Sequence, residues 1–227
     1  MDFEKAYDKV SWSFLEEVLR TKGFDEVWIQ WINCAVRGGR VCIDLNGERG
    51  EFFRSFKGLR QGDPLSPLLF NLVADALSAM LSRASASGII QGLVPNLIDG
   101  GLTHLQYAHD TVIFLSFSLE NVRNLRLILN CYEAMSGMKI NFDKSEVYTM
   151  GVTEEDQQEV TRVLNCKLGS FPMKYLGMPV SDCKITKAQF KYVSDKAEKR
   201  LGTWQCDYLS SVFICNSYVH DGSIPVV

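Results

Sequence analysis

The chain has 227 residues, 46% of them apolar and 22% charged, which excludes a disordered polymer and leaves room for a sizeable core. Its net charge of −3 excludes a surface that is basic throughout, so any contact with nucleic acid has to be local. No apolar run approaches the roughly 20 residues of a membrane span and no signal peptide opens the chain, so an intracellular protein with no membrane partner is expected.

The chain opens on Met1-Asp2-Phe3-Glu4-Lys5-Ala6-Tyr7-Asp8, with no leader before it. Ser11 or Ser13 is placed to cap an amphipathic helix, with Ser13 and Glu16 at capping-box spacing, and Gly23 stops it. Asp25 starts a second helix whose Trp28, Ile32 and Val36 share a face, and Gly38-Gly39 ends it. Residues 40–45 alternate, Asn46-Gly47 is a turn signal, and residues 51–56 return, which predicts a β-hairpin. Gly58-Leu59-Arg60-Gln61-Gly62-Asp63-Pro64-Leu65-Ser66-Pro67 is a shaped loop that runs into a helix, with Ser66 as cap and Pro67 as first helical residue. Phe70, Val73, Leu77 and Leu81 give that helix a strongly apolar face.

Residues 103–115 set two β-prone runs around the polar pair His109-Asp110, a hairpin whose tip projects both side chains from the sheet edge. Ser118 then caps a helix that reaches Met135 and closes at Ser136-Gly137. Residues 139–144 and 146–150 are extended, Thr153 and Asp156 cap a short helix, and residues 171–180 form a strand pair turned at Gly177. A basic amphipathic helix is predicted over 186–201, with an uncapped tail from Trp204 onward. The seven cysteines (Cys34, Cys42, Cys131, Cys166, Cys183, Cys206, Cys215) lack C-x-x-C spacing, and His104, His109 and His220 lack zinc-ligand spacing. Reduced and mostly buried thiols are expected. The pieces add up to an α+β fold, with antiparallel pairs at 40–56, 103–115 and 139–180 packed on the helices beginning near Ser66 and Ser118.

Taken together and in order, these stretches resemble the palm of a reverse transcriptase, most closely that of a plant LINE-type (non-LTR) retrotransposon. Asp2 to Asp8 matches the family's first catalytic motif, residues 58–70 its template-and-nucleotide loop, and Tyr107-Ala108-His109-Asp110 its Tyr-Ala-Asp-Asp box. Ser136-Gly137 through Asn141 with Lys144-Ser145 matches the next motif, and Lys174-Tyr175-Leu176-Gly177 the primer-grip turn. Group II intron maturases are the nearest family alternative, and Phe-Glu-Lys-Ala-Tyr-Asp and Lys-Tyr-Leu-Gly-Met-Pro favour the LINE type.

The resemblance implies an α+β reverse-transcriptase palm over residues 1–180 and the truncated start of a thumb over 181–227, with the fingers missing. It implies an RNA template, a DNA primer and dNTPs as partners, and Mg2+ (or Mn2+) as cofactor; it says nothing of oligomeric state. Phosphoryl transfer to a primer 3′-oxygen uses two divalent ions about 4 Å apart, held by carboxylates from separate strands. Asp2 and Asp110 are then the metal ligands, and His109 stands where a third carboxylate belongs, offering a neutral nitrogen in place of an anionic oxygen. Tyr7 floors the sugar pocket, Arg60, Gln61 and Gly62 line the template and nucleotide, and Lys144 assists pyrophosphate departure. Tyr175, Leu176 and Gly177 form the primer grip. His109 and the position of Asp2 at the chain end, where frayed termini misplace side chains, point to a catalytically dead polymerase. The competing reading is a non-catalytic remnant reused to bind RNA or protein.

Overall fold

A computed structural model describes residues 1–98, 101–108 and 110–184, together with Thr186, Lys191, Asp195, Lys196 and Lys199. The chain divides into two compact units, Met1–Gly169 and Ser170–Val227. The helix predicted over 186–201 falls largely, and the tail from 204 wholly, outside the described residues.

In the first unit, strand β1 (Phe3–Glu4) leads through a left-handed Lys5 into the single turn α1 (Ala6–Lys9). Helices α2 (Trp12–Thr21) and α3 (Glu26–Arg37) follow, their first amide groups met by Ser11 and Asp25 side chains. Ser11 is therefore the cap of α2, and the capping box read at Ser13 and Glu16 is not formed. The next segment is a hairpin in two short ladders, β2 (Arg40–Val41) with β5 (Phe53–Arg54) and β3 (Asp44–Leu45) with β4 (Glu48–Arg49). Asn46 and Gly47 both have positive φ, as a two-residue turn matched to strand twist requires. Arg40 faces Arg54 while Asp44 faces Arg49, so the return strand holds one extra residue, a β-bulge between the ladders.

Helix α4 (Ser66–Ala86) is the core's axis: Leu69, Phe70, Val73, Leu77 and Leu81 are almost fully buried at helical spacing. Each such side chain contributes about 2 kcal/mol by leaving water. Ser66 lies inside the helix and caps nothing; Asp63 instead accepts from the Leu65 amide at 2.8 Å. The central hairpin pairs β6 (His104–Tyr107) with β7 (Asp110–Ile113), and α5 (Leu119–Ser136) follows, capped by Ser118 and closed by left-handed Gly137. Strand β8 (Lys139–Ile140) runs antiparallel to β1.

Strand β9 (Glu146–Val147), helix α6 (Glu154–Leu164) and strand β10 (Lys167–Leu168) complete the unit, with Thr153 capping α6. β9 and β10 are parallel, contrary to the antiparallel pairing predicted across 139–180. A helix separates them, and a helical crossover returns a chain in the same direction. In the second unit β11 (Met173–Tyr175) pairs with β12 (Met178–Val180) in the predicted antiparallel sense.

Tyr132 of α5 joins the layers. It is fully buried, donates to the Val73 carbonyl of α4 at 3.1 Å, and meets the rings of Phe3 and Phe14 at centroid distances of 6.1 and 6.2 Å. The thiols differ from expectation: Cys34, Cys131 and Cys183 are exposed and Cys42 and Cys166 half-buried, all five free. No helix among the described residues is long and apolar enough to cross a membrane.

The loop before α4 is fastened to the turn after β1. Gly58 donates to the Val10 carbonyl at 2.8 Å and Leu59 to the Tyr7 carbonyl at 2.7 Å. Gly58 has φ +89°, and a Cβ there would stand 2.6 Å from the Asp8 carbonyl oxygen. Gly62 has φ +87° with open space around it. Gly62→Ala should therefore cost strain alone, about 1–2 kcal/mol, and Gly58→Ala roughly twice as much, because the clash adds to the strain. Urea denaturation of both variants checks this; equal losses would show that the Asp8 contact yields freely.

Candidate active site

Asp2 is held from both sides. Met1 and Thr111 exchange both backbone hydrogen bonds, the Met1 nitrogen donating at 2.9 Å and the Thr111 amide at 3.4 Å. Two residues that bond each other in both directions form a pair of an antiparallel ladder. Continued by one residue, that register sets Asp2 opposite Asp110. On the other edge the Asn141 amide donates to the Asp2 carbonyl at 2.9 Å, in line with the pairing of Phe3 with Ile140. The strands therefore run in the order β6, β7, β1, β8.

One row across this sheet reads Tyr107, Asp110, Asp2, Asn141. Residues directly opposite share a face, with Cβ atoms about 5 Å apart. Phe3, Ile140 and Thr111, one step along their strands, are buried, so the row of Asp2 and Asp110 faces away from the core. Tyr107 is 65% exposed, in keeping with that. Burial pushes the Met1 ammonium below its ordinary value, while Cys166, Asp110, Asp2 and Glu146 pull it the other way, so the carboxylates converge at this point.

The turn after β8 supports Asp2. Ser145, buried, accepts from the Asp2 amide at 3.2 Å and donates to the Asn141 carbonyl at 2.7 Å. Lys144 is exposed on the same turn, its amide bonded to the Asn141 side chain at 3.1 Å. Ser145 was legible as part of a motif, but its role as a prop is visible only once the chain is folded.

Tyr7 is half-buried and stacks on Phe70 with centroids 4.6 Å apart and planes 12° from parallel. Gln61 and Gly62 are exposed on the loop that docks beside it. Arg60 reaches back to α3, donating to the Ala35 carbonyl at 2.9 Å, with its guanidinium against Gly39. His109 lies outside the described residues. The turn differs from the one predicted: Tyr107 pairs with Asp110, so Asp110 belongs to the strand, and left-handed Ala108 (φ 52°) begins the reversal. Tyr175, Leu176 and Gly177 sit at the turn of the second unit's hairpin, where Leu176 and Gly177 both have positive φ.

Two adjacent carboxylates on neighbouring strands are hard oxygen donors of the kind a small divalent cation shares with substrate phosphates, so the residues present fit magnesium. Among the described residues, no three His, Cys, Asp or Glu side chains are grouped to hold a metal by themselves.

Residues 1–180 match the family model described as Reverse transcriptase (RNA-dependent DNA polymerase). The chain is 30% identical over 164 residues to the Retrovirus-related Pol polyprotein from type-2 retrotransposable element R2DM of Drosophila melanogaster, covering 71% of this chain and 14% of that protein. It is 25% identical over 207 residues to the Transposon TX1 uncharacterized 149 kDa protein of Xenopus laevis, covering 90% of this chain and 15% of that one. Over 67 residues it is 39% identical to the Uncharacterized mitochondrial protein AtMg01250 of Arabidopsis thaliana, covering 30% of this chain and 55% of that protein. The chain thus spans about a seventh of the length of the first two relatives.

Two measurements probe the hairpin. On its core face Thr111 is 2% exposed, and neither its hydroxyl nor the amide nitrogen of the facing Gln106 has a hydrogen-bond partner among the described residues. Thr111→Val removes a buried hydroxyl at constant shape and should stabilise the chain by about 1 kcal/mol; a loss of that size in urea denaturation would mean the hydroxyl is bonded. At the root of the hairpin, His104 bridges Thr103 at 2.9 Å and Ser78 at 2.7 Å, and burial pushes its imidazole below the ordinary value against the pull of Asp75. A lowered native pKa means the unfolded state takes up the proton first, so stability falls as pH drops below about 6.5 and through the native value. The melting temperature should fall more between pH 7 and 5 for the wild type than for His104→Gln, and identical falls would assign the effect elsewhere.

Proposed function

The chain belongs to the reverse transcriptase (RNA-dependent DNA polymerase) family, and from that membership we propose that residues 1–180 are the palm of a plant LINE-type (non-LTR) retrotransposon polymerase, impaired by His109, with 181–227 opening its thumb. The observation that carries the reading is the register that sets Asp2 opposite Asp110 on an outward-facing row. Its substrates are an RNA template, a DNA primer and deoxynucleoside triphosphates.

Asp2 and Asp110 are the residues that would hold magnesium. When bound, it supplies charge neutralisation for the attacking primer oxygen and the departing pyrophosphate. Tyr7, immobilised on Phe70 and through its carbonyl by Leu59, forms the floor on which the incoming sugar rests and against which a 2′-hydroxyl collides. Gln61 and Gly62, exposed where the loop bends, contact the template base and the nucleotide, and Arg60 fixes that loop from behind through Ala35. Lys144 donates a proton to the pyrophosphate as it leaves. Ser145 and Asn141 touch no reactant; they hold the backbone of Asp2. The Tyr175–Gly177 turn grips the primer.

His109 weakens the chemistry because an imidazole brings no negative charge to oppose that of the cation. Loss of one anionic ligand costs about 4 kcal/mol of transition-state stabilisation, roughly a thousandfold in rate. Groups that act as a unit are not additive, so restoring one of them recovers rate only where the rest of the constellation is intact. The test is primer extension on an RNA template with magnesium, using this chain and the same segment grafted into an active relative, each with and without His109→Asp. The grafted revertant should extend at least a thousandfold faster than the grafted wild type, and Asp110→Asn should abolish its activity. Equal rates for the two grafts would remove His109 as the lesion, and a fully active Asp110→Asn would refute the carboxylate pair.

A further inference from the structure

Arg40 and Arg54 stand directly opposite one another in the ladder of β2 and β5. Directly opposed residues share a face with Cβ atoms about 5 Å apart, and like charges in that position repel. Both side chains are exposed, and among the described residues neither is bonded to a carboxylate. The next pair, Val41 with Phe53, turns to the opposite face. The basic pair is therefore a defined feature of one face of the hairpin root, and its repulsion is relieved only by an anion between the guanidiniums.

The surroundings specify which anion. Arg60 lays its guanidinium against Gly39, the neighbour of Arg40, and it heads the loop that carries Gln61 and Gly62. Residues 37–60 contain six arginines and lysines against three acidic residues, in a chain whose net charge is −3. The basic surface that nucleic acid requires is thus concentrated at the root of this hairpin and runs on into the loop. A guanidinium fork matches the two free oxygens of a phosphodiester, and two forks side by side clasp one phosphate or two in succession.

We propose that Arg40 and Arg54 form a phosphate clamp for a nucleic-acid strand that continues toward the Gln61–Gly62 loop. The clamp rests on the polymerase reading for the direction of that strand, but its binding is measured without any chemistry. The experiment is fluorescence anisotropy of a labelled RNA-template/DNA-primer hybrid with the intact chain, between about 50 and 200 mM salt. Neutralising two phosphate contacts should flatten the slope of log affinity against log salt by about 1.5–2 for Arg40→Ala/Arg54→Ala. Arg40→Lys/Arg54→Lys should keep the slope. Arg20→Ala, which removes an arginine already paired with Glu16 and Glu26, should leave it unchanged.

The alanine pair should melt no lower than the wild type, since it removes a repulsion and no contact. An unchanged slope in that variant, or no binding by the wild type, would overturn the clamp. So would equal binding to phosphatidylserine vesicles with the same loss on substitution, which would make the pair a lipid contact. The two readings fail separately: a chain that binds with the full slope yet never extends a primer loses the polymerase and keeps the clamp. An active graft with an unchanged slope does the reverse.

Discussion

The backbone at Met1–Glu4 is hydrogen-bonded along both edges, to Thr111 on one side and to the 139–141 segment on the other. Paired on one edge alone, so short a strand would be marginal, because each ordered residue costs about 1–2 kcal/mol of backbone entropy. Held on two edges, and with Phe3 seated against Tyr132, it becomes the middle strand of a small sheet. The position of Asp2, the attachment of the Gly58 loop through Tyr7 and Val10, and the propping by Ser145 all follow from it.

The support is layered. Tyr132 ties α5 to α4 and presents its ring to the underside of β1, so the apolar core ends where the site begins. Gly137, in the left-handed conformation, brings the end of α5 against the Lys9 carbonyl, and Ser11 donates to the Ser136 carbonyl at 2.7 Å. The floor of the site is therefore stiff backbone and the row of side chains above it is polar, a division that keeps reactive groups off mobile loops.

Much of this was legible in the residues. Helix caps at Ser11, Asp25, Ser118 and Thr153, the Asn46-Gly47 turn and the apolar stripe of α4 are local signals, and local chemistry alone decides them. The bulge between Arg49 and Phe53 was not, because the extra residue is defined only against a partner strand. Nor was the parallel pairing of β9 with β10, which depends on how α6 packs. Asp2 and Asp110 were recognisable as a pair only by resemblance to a family; the hydrogen bonds between Met1 and Thr111 give the physical reason. Arg60, expected at the nucleotide, bonds to Ala35, since a long flexible side chain takes the nearest free carbonyl. The cysteines misled because small apolar residues are often buried, while these five lie on outward faces.

The central hairpin works as a ruler of fixed length. Pairing of Tyr107 with Asp110 leaves two positions between the strands, and along β7 the outward Asp110 is followed by the inward Thr111. Side chains alternate strictly, so a single inserted or deleted residue in β7 would trade the faces of everything beyond it. A changed letter at position 109 leaves that count untouched. Over long divergence, such a stretch should drift in spelling far more readily than in length, and an altered residue count between Tyr107 and Thr111 would be a surer mark of a lost site than any substitution there.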